Sequence, residues 1–206
     1  MTSPVKRRKP GVPHAAFEVV AMATSAGGLN ALTQILAALP ADFPAPVVVV
    51  QHLDPRHRSL LAEILGRRTR LAVKEAQEGD KLCAGTAYIA PPDHHLLITP
   101  EGAISLTDTE LVHFVRPSAD LLFESVAASY KDRAIAVVLT GTGIDGSLGL
   151  TAIKKMGGTV IAEDRETAEF SGMPGAAIHT GHVDFVLPLR EIGPALITLV
   201  MTGEDR

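Results

Sequence analysis

Two apolar patterns alternate along the chain from residue 17 onward: short continuous runs, and longer stretches with apolar residues at helical spacing. Residues 17–23 form a largely apolar run, and residues 29–39 place Leu29, Leu32, Ile35, Leu36 and Leu39 along one helical stripe before Pro40 stops it. Together they predict a strand, a turn at Ser25 and a helix. Residues 46–51 repeat the strand pattern with consecutive valines, and Ser59 is placed to cap a helix running through Leu60, Leu61, Ile64 and Leu65. Between residues 74 and 106 the rhythm changes. Gly79, Gly85, Pro91-Pro92 and Gly102 punctuate short runs at 87–90 and 96–98, which predicts an antiparallel insertion or edge hairpin. Helix resumes near Ser118 with Leu121, Leu122, Val126 and Ala127 as its apolar face, and residues 134–139 read as a buried strand ending in Thr140-Gly141-Thr142-Gly143. A helix near Asp145, a strand at 159–162, a helix opened by Pro174, a strand at 183–187 and a closing helix from Leu189 complete the chain. Strands alternating with helices predict an α/β fold: three layers around a doubly wound, mostly parallel sheet with right-handed crossovers and an antiparallel hairpin at its edge.

Composition agrees with this reading. Apolar residues make up 46% of the 206 and aromatics only 4%, so the core is built from Ala, Val, Leu and Ile, as in buried parallel strands and their covering helices. Residues 1–16 are rich in Pro, Gly and charge and predict a disordered lead-in, which leaves residues 17–206 as one domain. The basic run Lys6-Arg7-Arg8-Lys9 falls in that lead-in and reads as a solvated terminus. With 19 basic against 23 acidic side chains there is no cationic excess to hold nucleic acid. No apolar run is long enough to insert in a membrane, and no secretory segment follows the basic start, which predicts a cytoplasmic protein. The lone Cys83 fits a reducing compartment.

The candidate chemistry gathers at strand ends. Ser25, in Ala23-Thr24-Ser25-Ala26-Gly27-Gly28, follows a predicted strand and precedes a helix, where a sharp turn lifts a hydroxyl above the sheet edge. A serine there also reads as an N-cap or as part of a phosphate-binding turn. As a nucleophile it needs a base. Among the histidines, His52 follows the strand at 46–51 and so sits on the same rim; His57, His94, His95, His113, His179 and His182 fall in loops or helix ends and read as solvated or structural. Asp145, after the strand at 134–139, shares that rim and can orient and charge-stabilise an imidazole, although it also reads as a helix N-cap. Backbone amides around Ala26-Gly27 and Thr142-Gly143 are candidate oxyanion donors. His94-His95 point to opposite faces of an extended segment with no Cys or acidic cluster nearby, so neither a metal nor another cofactor is expected.

At this point the sequence resembles the catalytic domain of the CheB methylesterases. The resemblance is carried by Ser25-Ala26-Gly27-Gly28, Gln51-His52, Val73-Lys74-Glu75-Ala76 with Gly79, Tyr88-Ile89-Ala90-Pro91, Arg116-Pro117-Ser118 with Asp120, Leu139-Thr140-Gly141 with Gly143 and Asp145-Gly146, and Gly172-Met173-Pro174. It spans roughly residues 17–200. The resemblance implies a protein-glutamate methylesterase that releases methanol from methylated chemoreceptor helices or receptor-like proteins, with receptor glutamine deamidation in some relatives. It assigns the nucleophile to Ser25, the base to His52 and the acid to Asp145. It further implies an oxyanion-hole amide at Thr142 and cleft positions for Arg116 and Met173. Three departures accompany it. No receiver domain precedes Phe17, Thr142 stands where many members have Met, and Ala23-Thr24 replaces Gly-Ala or Gly-Ser before the nucleophile. The competing readings are a module that binds phosphate or a nucleotide at the Ser25 turn without breaking a bond, and a non-catalytic scaffold in a signalling complex; the turn's lack of Lys and of a dinucleotide glycine pattern weighs against the first.

Overall fold

The computed structural model describes residues 17–53 and 59–202, so the lead-in expected over residues 1–16 and the loop position of His57 lie outside the described residues. The strands in chain order are β1 (Val19–Thr24), β2 (Val47–Gln51), β3 (Ala72–Glu75), β4 (Thr86–Ile89), β5 (His95–Ile98), β6 (Ile104–Thr107), β7 (Ala134–Val138), β8 (Thr159–Glu163) and β9 (Phe185–Leu187). The helices are α1 (Gly28–Ala38), α2 (Leu61–Gly66), α3 (Ala119–Tyr130), α4 (Ser147–Lys155), α5 (Gly172–His179) and α6 (Leu189–Thr202). The main sheet runs β3-β4-β2-β1-β7-β8-β9, parallel throughout.

Side-chain alternation along the central strands builds two cores. On β1, Val20 and Met22 join Leu32, Ile35 and Leu36 of α1, Leu65 of α2, and Ile192 and Leu196 of α6 on one face. Val19, Ala21 and Ala23 of the same strand meet Leu122, Phe123 and Val126 of α3, Leu150 and Ile153 of α4, and Met173 of α5 on the other. This is the three-layer, doubly wound architecture expected, and every residue of β1, β2 and β7 is buried, which is why those strands read as continuous apolar runs.

Two details differ from the sequence reading. Antiparallel pairing is confined to β5 and β6, which form their own two-stranded sheet, whereas β3 and β4 are parallel members of the main sheet. Turn residues between short strands marked breaks correctly but carried no information on strand direction. The face of α3 is also rotated. Phe123 is fully buried while Leu121 is only half-buried, because α3 packs both on the sheet and against α4. A Cβ at Gly149 of α4 would stand 2.7 Å from Phe123 Cβ and 2.8 Å from Asp120 O, so these helices approach as closely as glycine allows.

The topology sets the site. From β1 the chain winds outward through α1 to β2 on one side, and from β7 it winds through α4 to β8 on the other. The crevice beyond the carboxyl ends of β1 and β7 is therefore a switch point, where α/β sheets place their ligands.

Candidate active site

Parallel register brings Ser25 and His52 side by side. Thr24 pairs with Gln51 in the β1–β2 ladder, and Ser25 and His52 are the next residues on each strand. Adjacent parallel strands lie about 4.8 Å apart, so the two backbones leave the sheet as neighbours. The ladder is extended past its end. His52 N–H donates to Thr24 O (3.1 Å), Ser25 N–H donates to Thr140 O after β7 (3.1 Å), and the Thr24 hydroxyl donates to the same carbonyl (2.7 Å). Buried Gln51 adds a brace, its Nε2 donating to Ser25 O (2.7 Å) and to His52 O (2.9 Å). The turn itself is relaxed at the serine. Its left-handed residue is Gly27 (φ 80), and Ser25 is not among the described non-glycine residues with positive φ. Ala23 lies inside β1, paired with Val50 and Val138, so its replacement of a glycine leaves the turn untouched.

His52 Nε2 donates to Asp145 Oδ2 at 2.8 Å. That bond leaves Nδ1 of the neutral ring as the nitrogen able to take a proton. Asp145 is 4% exposed, and its carboxylate is locked by further donors: Ala119 N–H to Oδ2 (2.6 Å), the Ser118 hydroxyl to Oδ1 (2.8 Å) and Asp120 N–H to Oδ1 (3.3 Å). The expected N-cap role is thus real but belongs to another helix. Gly146 (φ 97) caps α4, while Asp145 satisfies the first amides of α3 and sits at the positive end of its dipole. Burial pushes the Asp145 carboxyl up, but the bonds from His52, Ala119 and Ser118 outweigh it, and the group titrates below its usual range. Asp145 therefore remains ionised beside the imidazole.

Ser25, His52, Thr142, Gly143, Ile144 and Asp145 line one cleft of about 330 Å³, together with His113, Phe114 and Val115. A second groove of about 580 Å³ also borders Ser25, lined by Gly28, Leu29, Leu53 and Leu60. Among the described residues nothing accepts the Thr142 amide, which is free to serve an oxyanion. Of the two other sequence candidates, Met173 is buried behind Gly141, and Arg116 is engaged with Asp93 Oδ1 and with the carbonyls of Asp108 and Thr109. No group of three or more metal-binding side chains occurs among the described residues. His95 is a buried structural residue, its Nδ1 accepting from Ser118 N–H (3.1 Å) and its Nε2 donating to Glu110 O (3.0 Å).

Sequence reasoning noted Gly141 and Gln51 only as motif residues without a role, and read His113 only as solvated or structural. A Cβ on Gly141 would lie 2.9 Å from Ser25 Cβ, 3.0 Å from Ser25 N and 2.4 Å from Met173 Sδ, so only glycine lets β7's end pass behind the serine. Gln51 had a signal, since a polar residue closing a run of valines has to satisfy its amide once buried. His113 had none, because its loop position depends on tertiary contacts.

A hydroxyl, an imidazole and a buried carboxylate converging where parallel strands end is the arrangement of the α/β serine hydrolases. A family model described as CheB methylesterase matches residues 20–196, and the chain belongs to that family. A Leptospira interrogans relative is 41% identical over 183 residues, spanning 89% of this chain and 95% of its own length. A Moorella thermoacetica protein named protein-glutamate methylesterase/protein-glutamine glutaminase is 44% identical over 197 residues, covering 94% of this chain but 45% of that protein. A Thermotoga maritima relative of the same name is 41% identical, with 91% of this chain and 56% of that protein covered, so the chain spans about half of these two relatives. The crystal structure of the Thermotoga maritima CheB methylesterase catalytic domain superposes with a TM-score of 0.86 at 42% identity, covering 89% of this chain and 99% of that one.

Proposed function

We propose that the chain is a protein-glutamate methylesterase, with Ser25 as nucleophile, His52 as general base and acid, and Asp145 as the orienting carboxylate. The observation that carries this reading is the His52–Asp145 bond of 2.8 Å on a histidine whose strand position adjoins Ser25. In the first half-reaction Ser25 Oγ attacks the γ-ester carbonyl carbon while His52 Nδ1 takes its proton. The tetrahedral oxyanion is stabilised by backbone amides, that of Thr142 foremost, and the imidazolium by Asp145. Collapse expels methoxide, which leaves as methanol with the proton from His52. Water, deprotonated by the same ring, then attacks the acyl-enzyme and releases the free glutamate carboxylate and Ser25. A glutamine side chain follows the same course with ammonia as leaving group, in keeping with the double name of the relatives.

The substrates under this reading are methylated chemoreceptors or receptor-like proteins, which assigns the chain to the cytoplasm, where their methyl-bearing helices lie. Among the described residues no helix is long and apolar enough to cross a membrane. The test is methanol release from methylated receptor fragments. The parent chain releases methanol, His52→Gln falls by a factor on the order of a thousand or more, and circular dichroism is unchanged. Parent and variant releasing methanol at equal rates would exclude His52 from the chemistry. Nucleotide-dependent thermal stabilisation without methanol release would favour a binding module instead.

A further inference from the structure

One side of the cleft is a tight turn whose conformation and exposure the reaction above does not use. Val112 and Val115 exchange backbone hydrogen bonds (3.2 and 2.9 Å), enclosing His113 and Phe114 in a two-residue hairpin turn. Both enclosed residues have positive φ, 50 for His113 and 64 for Phe114, a backbone that asparagine and glycine normally supply. An aromatic residue held in that region is strained, and such strain persists where surrounding contacts over-determine it. Those contacts are present. His113 Nε2 stands 3.2 Å from Asp120 Oδ2, an ion-pair distance without hydrogen-bond geometry, and the Asp120 side chain is 4% exposed. The other Asp120 oxygen accepts Gly149 N–H at 2.8 Å, and Arg116 ties the stem to Asp93 and to the carbonyls of Asp108 and Thr109. On this fixed support Phe114 is 93% exposed, with Ile144, 55% exposed, also on the cleft wall.

The occupant of this rim follows from the reach of the substrate. A glutamyl side chain is short, so a polypeptide that delivers its γ-ester to Ser25 has to lay its neighbouring residues against the cleft wall. We propose that the turn closed by Val112 and Val115 is a substrate-reading element. In it, Phe114 is a specificity-determining residue that packs on apolar side chains flanking the esterified glutamate, and His113, held by Asp120, is the residue that positions the turn. This inference rests on the esterase reading above and adds to it the way the protein substrate is distinguished from a small ester.

The experiment measures kcat/KM for a methylated receptor fragment and for p-nitrophenyl acetate in the parent chain, Phe114→Ala, Phe114→Leu and His113→Ala. Phe114→Ala lowers the ratio of receptor-fragment to small-ester kcat/KM about tenfold, mainly through KM, as loss of an aromatic anchor does. Phe114→Leu retains most of the ratio, and His113→Ala lowers it in the same sense while Tm stays within a few degrees of the parent's. An unchanged ratio in Phe114→Ala, or equal losses in the Ala and Leu variants, would overturn the inference while leaving the esterase intact. A parent chain that hydrolyses neither substrate would instead remove the esterase reading, and this inference with it.

Discussion

Gly141→Ala is the substitution that interrogates the site most finely, because it adds one methyl group at a place where the structure has no room. The new Cβ would meet Met173 Sδ at 2.4 Å, Ser25 Cβ at 2.9 Å and Ser25 N at 3.0 Å. The backbone of Gly141 is not in the left-handed region, so the effect is steric rather than conformational. Met173 is 1% exposed and cannot swing into solvent, so relief has to come in part from the Ser25 turn. Overpacking of this kind costs about 1–3 kcal/mol, or roughly 2–4 °C in Tm for each kcal/mol in a domain of this size. The catalytic cost is of the same order. A nucleophile displaced by about 1 Å out of line with its base loses on the order of a hundredfold in kcat, or about 2.7 kcal/mol. Differential scanning fluorimetry and methanol-release kinetics read the two effects separately. The double variant Gly141→Ala/Met173→Ala removes the sulfur contact but does not regain the rate, since both contacts with Ser25 persist. Wild-type kcat in Gly141→Ala would refute the reasoning.

The remaining predictions concern buried carboxylates. Asp145→Asn leaves a hydrogen-bonding group at the mouth of α3 but no charge beside the imidazole, and kcat falls by a factor on the order of ten thousand; Asp145→Ala also strips acceptors from Ser118, Ala119 and Asp120 and lowers stability by at least about 2 kcal/mol in denaturant titrations. Because the Asp145 carboxyl titrates below its ordinary value, its stabilisation is present above about pH 4 and lost as pH falls through the lowered value; acid unfolding is therefore steeper in the parent than in Asp145→Asn, and parallel curves would contradict the assignment. Glu163, fully buried beneath Thr140, is pushed up by burial despite the Thr140 amide and Thr167 hydroxyl that donate to it, so stability declines as pH rises from the ordinary glutamate range through the raised value. Glu163→Gln keeps an acceptor for Thr140 and flattens that decline, measured as Tm against pH.

How much of this was legible beforehand depended on whether the signal was local. Valine runs and glycine-marked turns located the central strands and the residues that follow them, which is why Ser25, His52 and Asp145 were found on one rim. The direction of β3 and β4 was not legible, since it is decided by which neighbour the strand meets and not by its own residues. The purpose of the Asp145 carboxylate was half legible: a capping residue was foreseen, but the helix it caps begins 26 residues earlier in the chain, at Ala119. What Gly141 and His113 do in the fold was illegible for the same reason. A glycine needed to clear a serine across a sheet, and a histidine held by a buried aspartate, leave no mark on the residues next to them in sequence.

The central claim is that Ser25 is a nucleophile activated by His52, and covalent capture tests it directly. Incubation with a fluorophosphonate, followed by peptide mass spectrometry, is predicted to place one adduct on Ser25, absent in Ser25→Ala and formed far more slowly in His52→Gln. An unmodified Ser25 in the folded parent chain, or labelling at an undiminished rate without His52, would contradict it.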